Sequence, residues 1–84
     1  MRTPVGEVDL VARRGKVLAF VEVKARATPE AAGHSLDRNR LRRVAAAAEM
    51  LVSRFLGDAD EVRIDVIHIV PGQLPRHLKD VWQG

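Results

Sequence analysis

The sequence contains no cysteine and no tyrosine, and its aromatic residues are one tryptophan and two phenylalanines. The absence of cysteine excludes a disulfide framework, a thiolate metal site and a cysteine nucleophile. So few aromatic side chains leave no stacking platform of the kind that single-strand-binding proteins use. Long apolar runs are also missing, because the longest cover only residues 17–21 and 44–48, far too few to cross a bilayer.

The 84 residues suffice for one small domain. A hydrophobic share of 46% and a charged share of 30% are typical of a folded chain rather than a disordered one. No basic, then apolar, then small-residue signal opens the sequence. We therefore expect a cytoplasmic protein with no membrane partner.

Positive charge is concentrated in the first half of the chain. Residues 1–43 carry ten lysines and arginines against five acids, whereas residues 44–84 carry four against six. A basic half on a small domain favours a nucleic-acid partner.

The hydrophobic pattern begins with a predicted β-hairpin. Residues 7–12 largely alternate polar and apolar side chains, as in a half-buried strand, and residues 17–25 predict a second strand rich in valine. The Arg-Gly-Lys segment at 14–16 between them is a tight-turn signal.

The rest of the chain predicts one helix and at least one more strand. A helical apolar stripe runs from an N-cap at Asp37 to about Leu56, and Gly57 ends it. Residues 62–70 are apolar on both faces at their centre, which predicts an interior strand. Residues 76–82 predict a closing segment, and the pattern leaves strand and helix equally open.

Strand parity sorts the hairpin side chains onto two faces. One face is apolar throughout and is predicted to face the core: Val8, Leu10, Ala12, Val17, Ala19, Val21 and Val23. The other face collects the charges beside three apolar side chains: Glu7, Asp9, Glu22 and Lys24, with Val11, Leu18 and Phe20. A two-residue turn leaves two registers open, in which Asp9 lies directly opposite Glu22 or diagonal to it.

Neighbouring carboxylates on paired strands repel each other and need a cation. Lys24 supplies part of this charge, and a divalent metal would supply more, because Mg²⁺ commonly takes one or two carboxylates with phosphate oxygens. A lysine beside such a metal can orient an attacking water or stabilise developing negative charge. A Glu-x-Lys triplet on a strand is also typical of a solvated face with an ordinary ion pair, so the residues alone leave both interpretations open.

Residues 6–12 read GEVDLVA and residues 19–26 read AFVEVKAR. Together they resemble the YraN family of small bacterial proteins, which is similar to the archaeal Holliday-junction resolvases. The family pattern is an acid on one strand and Glu-x-Lys on the next, within the restriction-endonuclease-like, PD-(D/E)xK superfamily. The similarity covers nearly the whole chain.

The resemblance implies an α/β fold: a small mixed β-sheet with a β-hairpin and one long packed helix, as a single restriction-endonuclease-like domain over residues 1–84. It also implies that Asp9 and Glu22 hold Mg²⁺ or Mn²⁺, with Lys24 as the catalytic lysine and Glu7 as an accessory acid. Family members usually begin with a further helix that carries another Glu, and this sequence starts close to the motif. We expect the core to lack that helix, part of the sheet to be uncovered, and the chain to form a homo-oligomer.

Several arginines are candidate phosphate contacts. Arg26 follows the predicted lysine directly, and Arg38 and Arg42 share one helix face. The helix arginines are equally compatible with a plain solvated face. Asp65, on a mostly apolar strand, is expected to pair structurally with an arginine.

The expected function is a metal-dependent nuclease that hydrolyses phosphodiester bonds of nucleic acid, most simply DNA and in particular branched DNA. The alternative is a non-catalytic nucleic-acid-binding or assembly module that retains the nuclease fold.

Overall fold

A computed structural model describes residues 1–27 and 38–82. The elements in chain order are β1 (Arg2–Thr3), β2 (Gly6–Glu7), β3 (Leu10–Arg14), β4 (Val17–Ala25), α1 (Arg38–Phe55), β5 (Glu61–Ile69) and β6 (Arg76–Leu78). β1 and β2 form an antiparallel ribbon, and the other strands form a sheet in the order β3-β4-β5-β6. β4 and β5 run parallel, and the other neighbouring strands run antiparallel. The predicted mixed α/β architecture, with a hairpin and a helix, is confirmed for these residues.

The hairpin turns on residues 15–16, because Arg14 pairs with Val17 and Leu10 pairs with Val21. Gly15 has a φ of +60° and occupies the first turn position, where a type II′ turn requires glycine. The turn therefore selects one of the two registers that the sequence leaves open.

The predicted continuous strand over residues 7–12 is wrong, because the chain breaks its pairing at Val8 and Asp9. The N–H of Val8 donates to the carbonyl of Met1 at 2.7 Å, and the terminal ammonium of Met1 donates back to the carbonyl of Val8. These bonds hold Val8 to the N-terminal ribbon instead of to β4. Its side chain, only 1% exposed, consequently joins the core beneath the helix.

The predicted core face is confirmed only in part: Val8, Ala19 and Val21 are buried, but α1 packs on the opposite face of the sheet. The buried cluster under α1 contains Leu18 and Phe20 from β4 together with Ile64 and Val66 from β5. Leu10, which the pattern assigns to the core, is 50% exposed on the other face. The crossover from β4 through α1 to the parallel β5 decides which face is covered, and its hand does not depend on which face is more apolar.

α1 presents a buried stripe to the sheet, formed by Leu41, Val44, Ala47, Ala48 and Leu51. It ends near the predicted stop, where Leu56 N–H donates to the carbonyl of Val52 at 2.8 Å and Gly57 has a φ of +52°. The predicted N-cap, Asp37, lies outside the described residues.

The N-terminal ribbon touches the helix backbone directly. A Cβ at Gly6 would overlap the carbonyl oxygen of Arg43. Glycine at this position therefore allows the ribbon to lie against α1, and the same contact brings Glu7 to the helix surface.

β5 is the interior strand that the sequence predicts, since it lies between β4 and β6. The closing segment, which the pattern leaves undecided, begins with the short strand β6. No helix within residues 1–27 and 38–82 is long and apolar enough to cross a membrane.

Candidate active site

Two charged side chains of β4 are buried on the face that α1 covers. Glu22 and Lys24 are two residues apart on one strand and therefore share a face. The Lys24 Nζ lies 3.1 Å from the Glu22 Oε1, and the two side chains are only 7% and 2% exposed. Burying such charges is costly unless they are paired, and here each ion neutralises the other.

Arg40 brings a second cation to the same carboxylate oxygen. Its Nε donates to the Glu22 Oε1 at 2.6 Å from the first turn of α1, while half of the arginine side chain stays exposed. The pKa of Arg40 is raised by its hydrogen bond to Glu22 and by the charge of that carboxylate, with smaller contributions from Asp9 and Glu7. The Arg40 guanidinium is therefore attracted by three carboxylates, those of Glu22, Asp9 and Glu7.

Asp9 is held beside Glu22 by the break in the hairpin. Its Oδ2 accepts a hydrogen bond of 2.8 Å from the backbone N–H of Val23. This bond fixes the carboxylate next to the Glu22 position on β4, and the side chain stays open to solvent. Glu22 and Lys24 therefore share a face as predicted, and Asp9 is bonded to the neighbouring residue of β4 although the strand that carries Asp9 is not continuous.

Glu7 completes the cluster from the N-terminal ribbon. It lines a small cavity of about 40 Å³ together with Glu22, Arg40, Arg43 and Val44. On its outer side the Glu7 carboxylate lies 3.6 Å from the Nε of Arg2. All four predicted site residues of the hairpin region, Glu7 included, therefore lie in one neighbourhood.

The structure divides the helix arginines between two sides of α1. Arg38 lies over the ring of Trp82 at 5.0 Å, and Arg42 lines a separate groove of about 480 Å³ that also includes Trp82. The two predicted phosphate contacts on the helix are therefore not beside the acidic cluster. Arg40 and Arg43 face the cluster instead.

Sequence reasoning did not assign Arg40 to the site. The available signal was its helical position. Arg40 and Arg43, three residues apart, share one face of the helix, whereas Arg38 and Arg42, four residues apart, share another. Recognising its partner required knowing which face of the sheet α1 covers.

Arg26 extends from the end of β4, just past the buried pair. Its backbone N–H donates to the carbonyl of Ile69 at 3.0 Å, and its Nη1 donates to the carbonyl of Ala25 at 2.9 Å. The side chain is half-buried, so part of the guanidinium is available to a ligand at this end of the strand.

Asp65 has the structural role that the sequence predicts. Arg63 donates to both of its oxygens at 3.1 Å, His77 lies 2.7 Å from its Oδ2, and the backbone N–H of Asp80 donates at 2.9 Å. Burial alone would raise the pKa of Asp65, but the hydrogen bonds from Asp80, Arg63 and His77 outweigh it and lower the pKa. The carboxylate joins β5, β6 and the segment that follows, on the face away from α1.

Two carboxylates of the cluster, Asp9 and Glu22, are candidate oxygen ligands for a metal. Within the described ranges, 1–27 and 38–82, no three histidine, cysteine, aspartate or glutamate side chains are grouped as a metal site. The cluster instead contains Asp9 and Glu22 as oxygen donors. The Arg40 guanidinium is hydrogen-bonded to Glu22 and is also attracted by the charge of Asp9.

The fold and the cluster define a small mixed α/β domain with a buried Glu-x-Lys pair and a neighbouring aspartate. The chain belongs to the uncharacterised protein family UPF0102, whose model matches residues 1–69. It is 58% identical over 83 residues to a UPF0102 protein of Sphingopyxis alaskensis, covering 99% of this chain and 72% of that relative. The corresponding protein of Erythrobacter litoralis is 52% identical with the same coverage. That of Caulobacter vibrioides is 47% identical over 85 residues, covering all of this chain and 68% of the relative. The resemblance to the YraN family is thereby confirmed at the level of the family.

Proposed function

We propose that this protein is a phosphodiesterase of the restriction-endonuclease-like class that hydrolyses the backbone of nucleic acid, most simply DNA. The observation that carries the proposal is the burial of Glu22 and Lys24 as a pair, with the Asp9 carboxylate fixed beside them. A plain solvated ion pair would leave both side chains exposed. Buried, mutually paired ionisable groups in a small domain cost stability, and such groups cluster at functional sites.

The donor set fits a divalent metal. Mg²⁺ and Mn²⁺ prefer oxygen ligands, and Mg²⁺ commonly binds through one or two carboxylates together with substrate phosphate oxygens. Asp9 and Glu22 supply two such carboxylates. Both already attract a cation, because the Arg40 guanidinium is hydrogen-bonded to Glu22 and is stabilised by the charge of Asp9. We assign these two residues as the metal ligands. When bound, the metal would polarise the phosphodiester and lower the pKa of an attacking water.

The remaining residues of the site hold and orient the reactants. The Lys24 ammonium lies 3.1 Å from Glu22, where it can stabilise negative charge that develops on a non-bridging phosphate oxygen. The bond from Val23 N–H keeps the Asp9 carboxylate in one orientation. Glu7 adds negative charge to the same cavity as an accessory acid, and Arg26 contacts substrate phosphate at the strand end.

Cleavage assays on linear and branched DNA with Mg²⁺ or Mn²⁺ test this function. Glu22→Gln is expected to abolish metal-dependent cleavage and to leave DNA binding equal or tighter, because one negative charge is removed. Glu49→Gln, on the exposed side of α1, is the matched control and should cleave like the wild type. Undiminished cleavage by the Glu22 variant would exclude the assignment.

The ion pair between Arg40 and Glu22 favours one alternative function. Because two cations already neutralise Glu22, the cluster is electrostatically satisfied without a metal. A non-catalytic nucleic-acid-binding or assembly module would retain this arrangement. Salt-sensitive DNA binding without cleavage, in the presence of either metal, would support the alternative over the enzyme.

A further inference from the structure

Two cations share one oxygen of Glu22, and they differ in their freedom to leave it. The Oε1 of Glu22 lies 3.1 Å from the Lys24 Nζ and accepts the 2.6 Å hydrogen bond from the Arg40 Nε. The Lys24 side chain is only 7% exposed, so its movement would disturb the core. The Arg40 side chain is 49% exposed on the first turn of α1, so it can rotate toward solvent while the core stays packed.

Arg40 also lies where a substrate would meet it. It lines the small cavity beside the acidic cluster, together with Glu7, Glu22 and Arg43. A phosphodiester bound next to Glu22 and Lys24 would therefore lie beside the Arg40 guanidinium. A guanidinium can bind two phosphate oxygens through parallel hydrogen bonds.

The pairing of charges decides when Arg40 can exchange partners. If a phosphate alone drew Arg40 away, the buried Glu22 would keep a single cation, and loss of a partner from a buried ion pair is costly. If a divalent metal alone replaced Arg40 on Glu22, the guanidinium would lose its partner while it lay close to a like charge. When both ligands are bound, Glu22 pairs with the metal and Arg40 pairs with the phosphate, so every charge has a partner.

We propose that Arg40 is an exchangeable partner of Glu22, which leaves the carboxylate for a backbone phosphate of nucleic acid when Glu22 takes up a divalent metal. The identity of the two ligands rests on the proposed function. The exchange rests on the shared oxygen and on the unequal exposure of Arg40 and Lys24.

The exchange has a thermodynamic consequence, which is positive coupling between the two ligands. Nucleic acid raises the affinity for metal because it removes the cation that competes for Glu22. By reciprocity, metal raises the affinity for nucleic acid by the same factor. Arg40 thus keeps the metal affinity of the free protein low until the substrate is present.

The test compares the affinity for a fluorescent DNA duplex in chelator and in saturating Mn²⁺ at one ionic strength. Anisotropy is measured immediately after mixing, and a denaturing gel checks that the DNA is intact. The wild type is expected to bind DNA about tenfold more tightly in Mn²⁺, within the usual range of coupling between sites. In Arg40→Ala the metal can still contact the DNA but no exchange occurs, so the gain should be several-fold smaller.

Arg43→Ala is the matched control, because Arg43 is an exposed arginine at the same cavity. This variant loses an equal charge but retains the bond between Arg40 and Glu22, so it should keep the full gain in Mn²⁺. Arg40→Gln can still donate a hydrogen bond to Glu22 without a charge, and its gain should be as small as that of Arg40→Ala. It replaces Arg40→Ala if thermal melting shows that the alanine variant does not fold.

Three results would overturn the exchange. One is an equal gain in Mn²⁺ for the wild type and for both Arg40 variants. Another is a gain that Arg43→Ala reduces as much as the Arg40 variants do, because this would reflect the loss of a nearby charge and not of the partner of Glu22. The third is a wild-type protein whose DNA affinity does not change in Mn²⁺.

The proposed hydrolysis and the exchange fail in different ways. A gain in DNA affinity that depends on Arg40, without cleavage in either metal, supports the exchange and contradicts the phosphodiesterase. Cleavage that Glu22→Gln abolishes, combined with equal gains in the wild type and the Arg40 variants, supports the phosphodiesterase and overturns the exchange.

Discussion

Arg40 donates its Nε hydrogen bond to the Oε1 of Glu22 at 2.6 Å, although the two residues lie on different elements of the fold. The bond ties the first turn of α1 to the buried end of β4. It also places a cation on the carboxylate that we assign as a metal ligand. An arginine and a divalent metal would therefore compete for the same oxygen.

Removing this competing cation is expected to strengthen metal binding. In Arg40→Ala, Glu22 keeps its contact with Lys24 but loses the guanidinium, so Mn²⁺ should bind several-fold more tightly than to the wild type. Calorimetric titration of Mn²⁺ into both proteins measures the difference.

Arg42→Ala provides the control for the metal titration, because Arg42 lies on the groove side of α1, away from the acidic cluster. This variant should bind Mn²⁺ with wild-type affinity. Equal or weaker metal binding by Arg40→Ala would contradict competition between the guanidinium and the metal.

Asp65 is expected to make stability depend on pH. Hydrogen bonds from Asp80, Arg63 and His77 lower its pKa against the opposing effect of burial. A carboxyl whose pKa is lower in the folded state stabilises the fold above its unfolded-state pKa of about 4, and this contribution is lost as pH falls through the folded-state value. Asp65→Asn should lower the free energy of unfolding by about 3 kcal/mol at neutral pH.

Urea denaturation between neutral pH and pH 3 measures this effect. The wild type should lose stability toward acid more steeply than Asp65→Asn, so the two curves should converge. Asp60→Asn, at an exposed position, should follow the wild type throughout. Parallel curves for wild type and Asp65→Asn would show that this carboxyl does not contribute in the expected way.

The face of the sheet away from α1 is expected to mediate self-association. Leu10, half exposed, lines a groove of about 270 Å³ there with other apolar side chains of the hairpin. Arg14 and Lys79 lie at the same groove, so two copies paired through it would bring like charges together. Added salt should screen these charges and strengthen the association, whereas it should weaken DNA binding.

Sedimentation velocity over a range of protein and salt concentrations measures this association. Leu10→Gln should shift the protein toward monomer. Leu74→Gln, which changes a leucine that is 91% exposed outside the groove, should not. A monomer under every condition would contradict the prediction.

Local patterns were sufficient to predict the hairpin, the helix and the interior strand. Apolar spacing, turn glycines and helix stop signals act over a few residues, so they can be interpreted without knowing the fold. The same locality explains why Glu22 and Lys24 could be assigned to one face, since strand parity is a property of β4 alone. It also explains the pairing of Asp65 with Arg63, two residues away on the same strand.

The predicted strand over residues 7–12 was wrong because Val8 and Asp9 form their hydrogen bonds with residues outside the segment, and not in the ladder with β4. Val8 forms its backbone bonds with Met1, and Asp9 accepts from the N–H of Val23. Alternation of side chains within a short segment contains no information about such partners, so it could not locate the break.

Which residues share a side of β4 therefore followed from the order of amino acids, because the period of a strand is a local property. Tertiary structure alone decided that α1 covers the side with the charges. The crossover that joins the parallel strands β4 and β5 places the helix there, which buries Glu22 and Lys24 and leaves Leu10 exposed. The same placement brings Arg40 to Glu22, because only the packing of α1 on this side joins residues so far apart in the chain.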